Sequence, residues 1–88
     1  MSGLASNRKP DYPIGARRQR QQGRVLLRVQ VSAAGTATAV EVVSSSGHPM
    51  LDQAARAAVQ TWHFIPATRA GVAVAAQADV PIQFRMDD

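Results

Sequence analysis

Cysteine is absent from the 88 residues, which excludes disulfides and thiolate metal sites. That absence fits a reducing cytosol as well as a periplasm, so it leaves the compartment open. Aromatic residues are scarce: Tyr12, Trp62, Phe64 and Phe84 are all there are, and the core must be built from Val, Leu, Ile and Ala. No apolar run approaches the ~18–20 residues that span a bilayer, and the N-terminus lacks the basic-then-apolar layout of a signal peptide. Export is therefore expected to be specified elsewhere and the chain to be an excised domain. Acidic residues are few, six against ten Lys and Arg, for a net charge of +4. A chain this short makes one domain whose core uses nearly every apolar position, with no room for an enclosed active site.

The positive charge is unevenly spread. Arg8, Lys9, Arg17, Arg18, Arg20, Arg24 and Arg28 all precede residue 30, against the single acid Asp11. Such a stretch is either a solvated helix face with a tail or a site for an anionic partner. Nucleic acid is the less favoured partner, because no stacking aromatics are interleaved with the arginines.

Residues 1–10 carry no hydrophobic periodicity, and Pro10 and Pro13 keep the segment between them extended, so this stretch reads as a flexible leader to a domain over 11–88. Pro13 suits the first turn of a short helix running through Gln21, with Gly23 placed to end it. From Arg24 the period becomes two: Val25, Leu27, Val29 and Val31 share one face of a strand. Ser32–Gly35 supplies a turn, and Thr36–Val43, rich in β-branched residues, completes a hairpin. Ser44–Pro49 stops that strand, with Ser46 or His48 available as a cap. Leu51, Ala55, Ala58 and Trp62 then recur at helical spacing over about Pro49 to Trp62. Thr68–Gly71 reads as a loop. From Val72 to Met86 every even position is apolar, the pattern of one long strand with one face on the core and one in water. Pro81 within it cannot donate to a ladder and marks this strand as an edge. The expected fold is α+β, a three-stranded antiparallel sheet with two helices packed on one face in the order α-β-β-α-β.

The chemistry-bearing residues form no constellation. His48 and His63 have no acid at metal-motif spacing, the six carboxylates are scattered, and the Ser44–Gly47 run lacks the glycine two residues before a serine that a nucleophile elbow needs. No enzyme, metal or cofactor is expected. What remains is the edge strand, a row of backbone donors and acceptors to which another chain can add.

Taken in order, Tyr12-Pro13, Gly23-Arg24-Val25, the Gly35 turn with Val40 and Val42, and Ser45-Ser46-Gly47-His48-Pro49 form a recognisable series. It continues through Leu51-Asp52, Ala54-Ala55, Trp62-His63-Phe64 with Pro66-Ala67, Gly71 and Val80-Pro81-Ile82-Gln83-Phe84. Over about residues 10 to 86 this series resembles the TonB C-terminal domain family. Each motif is weak alone, and the ordered set is specific. The resemblance implies a periplasmic domain of an inner-membrane-anchored energy transducer, joined by a proline-rich spacer to a membrane helix that works with the ExbB–ExbD motor. It also implies that the final strand pairs with the "TonB box" of outer-membrane TonB-dependent receptors, allowing uptake of iron chelates, cobalamin or sugars. On this strand the implied contact residues are Gln77, Asp79, Val80, Pro81, Ile82, Gln83, Phe84, Arg85 and Met86.

Family members also contact the receptor through the segment before Tyr-Pro, often with a Gln-Pro pair. Lys9-Pro10 stands there in this chain, so the role is carried to Arg8, Lys9, Pro10 and Tyr12, with a basic contact replacing an amide. Strand exchange between protomers into a homodimer is a further implication of the family. A TolA-like or paralogous envelope module is the alternative within the class. A basic nucleic-acid-binding module using Arg17, Arg18, Arg20 and Arg24 is the alternative outside it.

Overall fold

In the computed structural model, which describes residues 7–86, the elements follow the order α1 (Ile14–Arg18), β1 (Gly23–Val31), β2 (Ala37–Ser44), α2 (Pro49–Val59), β3 (Ala67–Arg69), β4 (Val72–Val74) and β5 (Ala76–Phe84). Three strands form the expected antiparallel sheet in the order β2-β1-β5, with β1 central. Val25, Leu27 and Val29 are fully buried on its inner face, as the period-two reading requires. Leu51, Ala55 and Val59 of α2 are equally buried, and α2 lies against β1 and β2, its alanines allowing a close approach. Toward β5, Tyr12 meets Phe84 edge-on, and the buried Ala16 of α1, which lies against α2, and Trp62 complete the core. Trp62 stands just past α2, which ends three residues earlier than its periodicity predicts, in a tight turn where Trp62 N–H donates to the Val59 carbonyl at 3.1 Å.

Three local expectations are corrected. Gly23 does not end α1. The chain leaves that helix at Arg18 and reverses at Arg20, whose φ of 56° is the left-handed conformation of a helix C-terminus. The Arg20 amide returns to the Arg17 carbonyl and the Gln21 amide to the Ala16 carbonyl, a Schellman closure carried by arginine in place of glycine. Gly23 instead opens β1, where a Cβ would lie 2.8 Å from the Ser46 carbonyl.

The second correction concerns the long alternating segment from Val72, which is two strands. Ala67–Arg69 pairs with Val72–Val74 around Ala70 and Gly71, both at positive φ, which is the two-residue turn whose twist suits a hairpin. Alternation continues in the sequence across Ala75, but β4 belongs to this separate hairpin and only β5 reaches the core. Val72 is accordingly 64% exposed, whereas Val80, Ile82 and Phe84 are buried.

Third, neither Ser46 nor His48 caps α2 with a side chain bonded to a helical amide. His48 occupies the cap position through its backbone, its carbonyl accepting from Leu51 and Asp52. Asp52 closes the preceding loop: its carboxylate accepts from the Ser45 hydroxyl, the Ser46 amide at 2.9 Å and the Ser46 hydroxyl at 2.7 Å.

Candidate strand-addition site

β5 ends the three-stranded sheet, and no strand lies beyond it among the described residues. Its direction is fixed by an unbroken register against β1, from Gly23↔Phe84 to Val31↔Ala76. In an antiparallel pair the N–H and C=O of a residue point the same way, toward the neighbouring strand or away from it, and the two cases alternate. Pro81 stands opposite Leu26 inside this register without an N–H to give, so it holds an outward position. Asp79 and Gln83, two residues to either side, therefore turn their backbone groups to the open edge as well. Their side chains are exposed on the solvent face, while the side chains of Val80, Ile82 and Phe84 fill the core. Val80, Ile82 and Phe84, which alternate with them, turn their backbone groups toward β1, so the open edge of this strand is presented by Asp79, Pro81 and Gln83.

Beside the second half of β5 runs a groove of about 670 Å³. One wall is Pro81 to Met86; the other is the leader with Asn7, Lys9, Pro10, Asp11 and Tyr12, joined by Arg17 and Trp62. The leader is held across the end of the sheet by three hydrogen bonds. Trp62 Nε1 donates to the Arg8 carbonyl at 2.7 Å. Asn7 Nδ2 donates to the His63 carbonyl, and the His63 amide donates back to Asn7 Oδ1, each at 2.8 Å. Tyr12 is fixed on three sides: its hydroxyl donates to the Gln21 carbonyl, its ring meets Phe84 edge-on at 5.3 Å, and the Arg17 guanidinium lies 4.7 Å over its face.

The expected contact residues thus fall into three groups. Lys9, Pro10 and Tyr12 share the groove with Pro81, Ile82, Gln83, Phe84, Arg85 and Met86. Arg8 lies outside it, serving the Trp62 indole with its carbonyl while its side chain is exposed. Gln77, Asp79 and Val80 lie farther along β5: Gln77 accepts from Gln30 at 3.0 Å and Asp79 faces Arg28 at 3.3 Å on the solvent face, while the Val80 side chain is buried in the core. Sequence reasoning did not name Asn7, Asp11 and Trp62 as site residues, and it named Arg17 only for the nucleic-acid alternative. Trp62 carried a signal, since a buried indole seeks an acceptor for its single N–H. Asn7 carried none.

Among the described residues no three His, Cys, Asp or Glu side chains gather where a metal could be held, and no helix is long and apolar enough to cross a membrane. The geometry offers an open backbone edge with a partly charged groove alongside.

The family model for the Gram-negative bacterial TonB protein C-terminal matches residues 8–86. Protein tonB2 of Pseudomonas aeruginosa is 43% identical over 86 residues, covering 98% of this chain and 32% of that protein. Protein TonB of Vibrio cholerae is 35% identical over 79 residues, covering 90% of this chain and 32% of its own length. The chain therefore spans about a third of the length of these relatives. Among solved structures, that of the Pseudomonas aeruginosa TonB CTD superposes with a TM-score of 0.80 at 27% identity, covering 97% of this chain and 86% of that one. The Helicobacter pylori TonB-CTD, at a TM-score of 0.70 and 24% identity over 91% of this chain and 84% of its own, shares the fold.

Proposed function

The chain belongs to the family of Gram-negative bacterial TonB C-terminal domains, a family of transport energy transducers and not of enzymes, and from that premise we propose that it is the periplasmic receptor-binding domain of such a transducer. An extended segment of an outer-membrane TonB-dependent receptor adds as a strand to the outer edge of β5, and the leader forms the second wall of its seat. Upstream, a membrane-anchored segment couples the domain to an ExbB–ExbD motor, so that a grip on the receptor becomes work for nutrient uptake. The observation that carries this reading is Pro81. It sets the direction in which Asp79 and Gln83 present their backbone groups, and that direction is outward, with Gln83 beside the groove.

Magnitudes suit a reversible grip. About four to six backbone bonds at ~0.5–1.5 kcal/mol each, less the cost of ordering the peptide, correspond to an affinity near micromolar. In NMR titrations, a receptor-box peptide is expected to shift amides of residues 79–86 and 9–12. Gln83→Pro removes one outward donor while leaving the β1–β5 ladder intact, and should weaken that peptide about 3- to 10-fold with little loss of stability. Unchanged affinity in this variant, or peptide shifts that avoid β5 while DNA binds with a steep salt dependence, would overturn the reading.

A further inference from the structure

The open edge of β5 carries a gradient of charge. At its start, Asp79 places a carboxylate on the strand, matched by Arg28 across β1, and Gln77 faces Gln30, so this end is balanced. At its far end the groove brings in Lys9 and Arg17 against the carboxylate of Asp11, with Arg85 on the opposite wall. Neither Lys9 nor Arg17 has an acidic group within ion-pair distance among the described residues. Arg17 is also fixed in place. Its guanidinium is stacked on Tyr12, which is itself bonded to Gln21 and packed on Phe84, so less side-chain freedom is lost when it meets a ligand.

We propose that Lys9 and Arg17 form a carboxylate-selecting subsite that sets the register of the added segment. An Asp or Glu side chain of that segment is drawn to the end of the edge beside residues 83–86, and is disfavoured at the end beside Asp79. Strand addition through backbone bonds alone is insensitive to register, because a shift by two residues restores the same pairing. One acid read by two cations at one end removes that degeneracy. This assignment rests on β5 being the strand-addition site, and it concerns which segments fit there and how they align.

The test uses a neutral host peptide of β-branched residues, and versions in which a single Glu or Gln is moved along it one position at a time. The neutral host is expected to bind and to shift β5 amides. Glu should improve affinity over Gln by about 3- to 10-fold only at the peptide end that lies beside Lys9 and Arg17, and the gain should shrink as salt is raised from about 0.05 to about 0.5 M. Lys9→Gln combined with Arg17→Gln should abolish the Glu-over-Gln gain, read as the ratio of the two peptides on the same variant so that any change in affinity for the neutral host cancels. Arg17→Lys, which keeps the charge but loses the planar stack on Tyr12, should retain part of it. If Glu and Gln bind alike at every position, or if Glu helps equally at both ends, the subsite does not exist even though strand addition stands. If the neutral host fails to shift β5, strand addition itself fails and the subsite falls with it.

Discussion

Asp52 shows how one side chain sets the geometry of a loop. Burial raises the pKa of its carboxyl, but the hydrogen bonds from the Ser45 hydroxyl and from the Ser46 amide and hydroxyl, aided by the nearby His48, outweigh that and leave it below its ordinary value. A carboxylate whose folded pKa is depressed adds stability that is fully present above the unfolded pKa near 3.8 and is lost as pH falls through the lower folded value. Asp52→Asn should therefore cost about 1–2 kcal/mol at neutral pH, and the difference from the parent protein should narrow below about pH 4, as followed by denaturant unfolding across pH. The serines and the aspartate are plain in the sequence, yet the role of the aspartate was not read there. Ser46 and His48 looked like helix caps, and only the folded loop shows that the acceptor is an acid six residues on from Ser46. The same limit applies to Arg20. Glycine is the residue that local rules place at a left-handed helix end, and Gly23 drew that role because the energetic preference for glycine is weak enough for arginine to replace it when the flanking hydrogen bonds form.

At the level of elements, the strands of the central sheet were legible because burial on one face imposes a period of two on the residue types. The inward set Val25, Leu27, Val29, Val31 is directly visible in the chain. The β3–β4 hairpin was not, because alternation persists through Ala75 although the strand that carries it leaves the sheet. Periodicity reports the direction of side chains along a strand and says nothing about which neighbour the backbone pairs with. The hairpin's residues are exposed except for the half-buried Val74, and two strands alone are marginal in water. Its amides at residues 67–74 should exchange with solvent many times faster than those of β1, through local opening, while β1 exchanges only on global unfolding. Equal protection of the two would mean that the hairpin is held by packing not recorded in this fold. The candidate site was half legible for a related reason. Pro81 announced the edge of β5 through its own chemistry, whereas the groove arises from the leader crossing to residues 62 and 63, a contact between positions more than fifty residues apart that no local pattern encodes.

For the molecule as a whole, Trp62 joins the parts. Its ring closes the end of the core beyond α2 and its N–H holds the leader, so the same residue couples the packing of the sheet to the second wall of the groove. Trp62→Phe keeps most of the apolar ring and removes the donor. It should cost about 1–3 kcal/mol of stability, release protection at amides 8–12, and weaken an added peptide several-fold under conditions where the variant remains folded. A loss of stability with peptide affinity unchanged would show that the leader does not contribute to the seat.

The pairing of β5 with β1 has a mechanical meaning. Hydrogen bonds in an antiparallel ladder lie across the strands, so a pull directed along β5 strains the nine pairs from Gly23↔Phe84 to Val31↔Ala76 together, in shear, whereas a pull across the sheet opens them one by one like a zipper. β1 is backed on its other side by β2, and the strain passes on into that pairing. A load borne along the outer edge of β5 therefore acts in the direction in which this small sheet is hardest to tear.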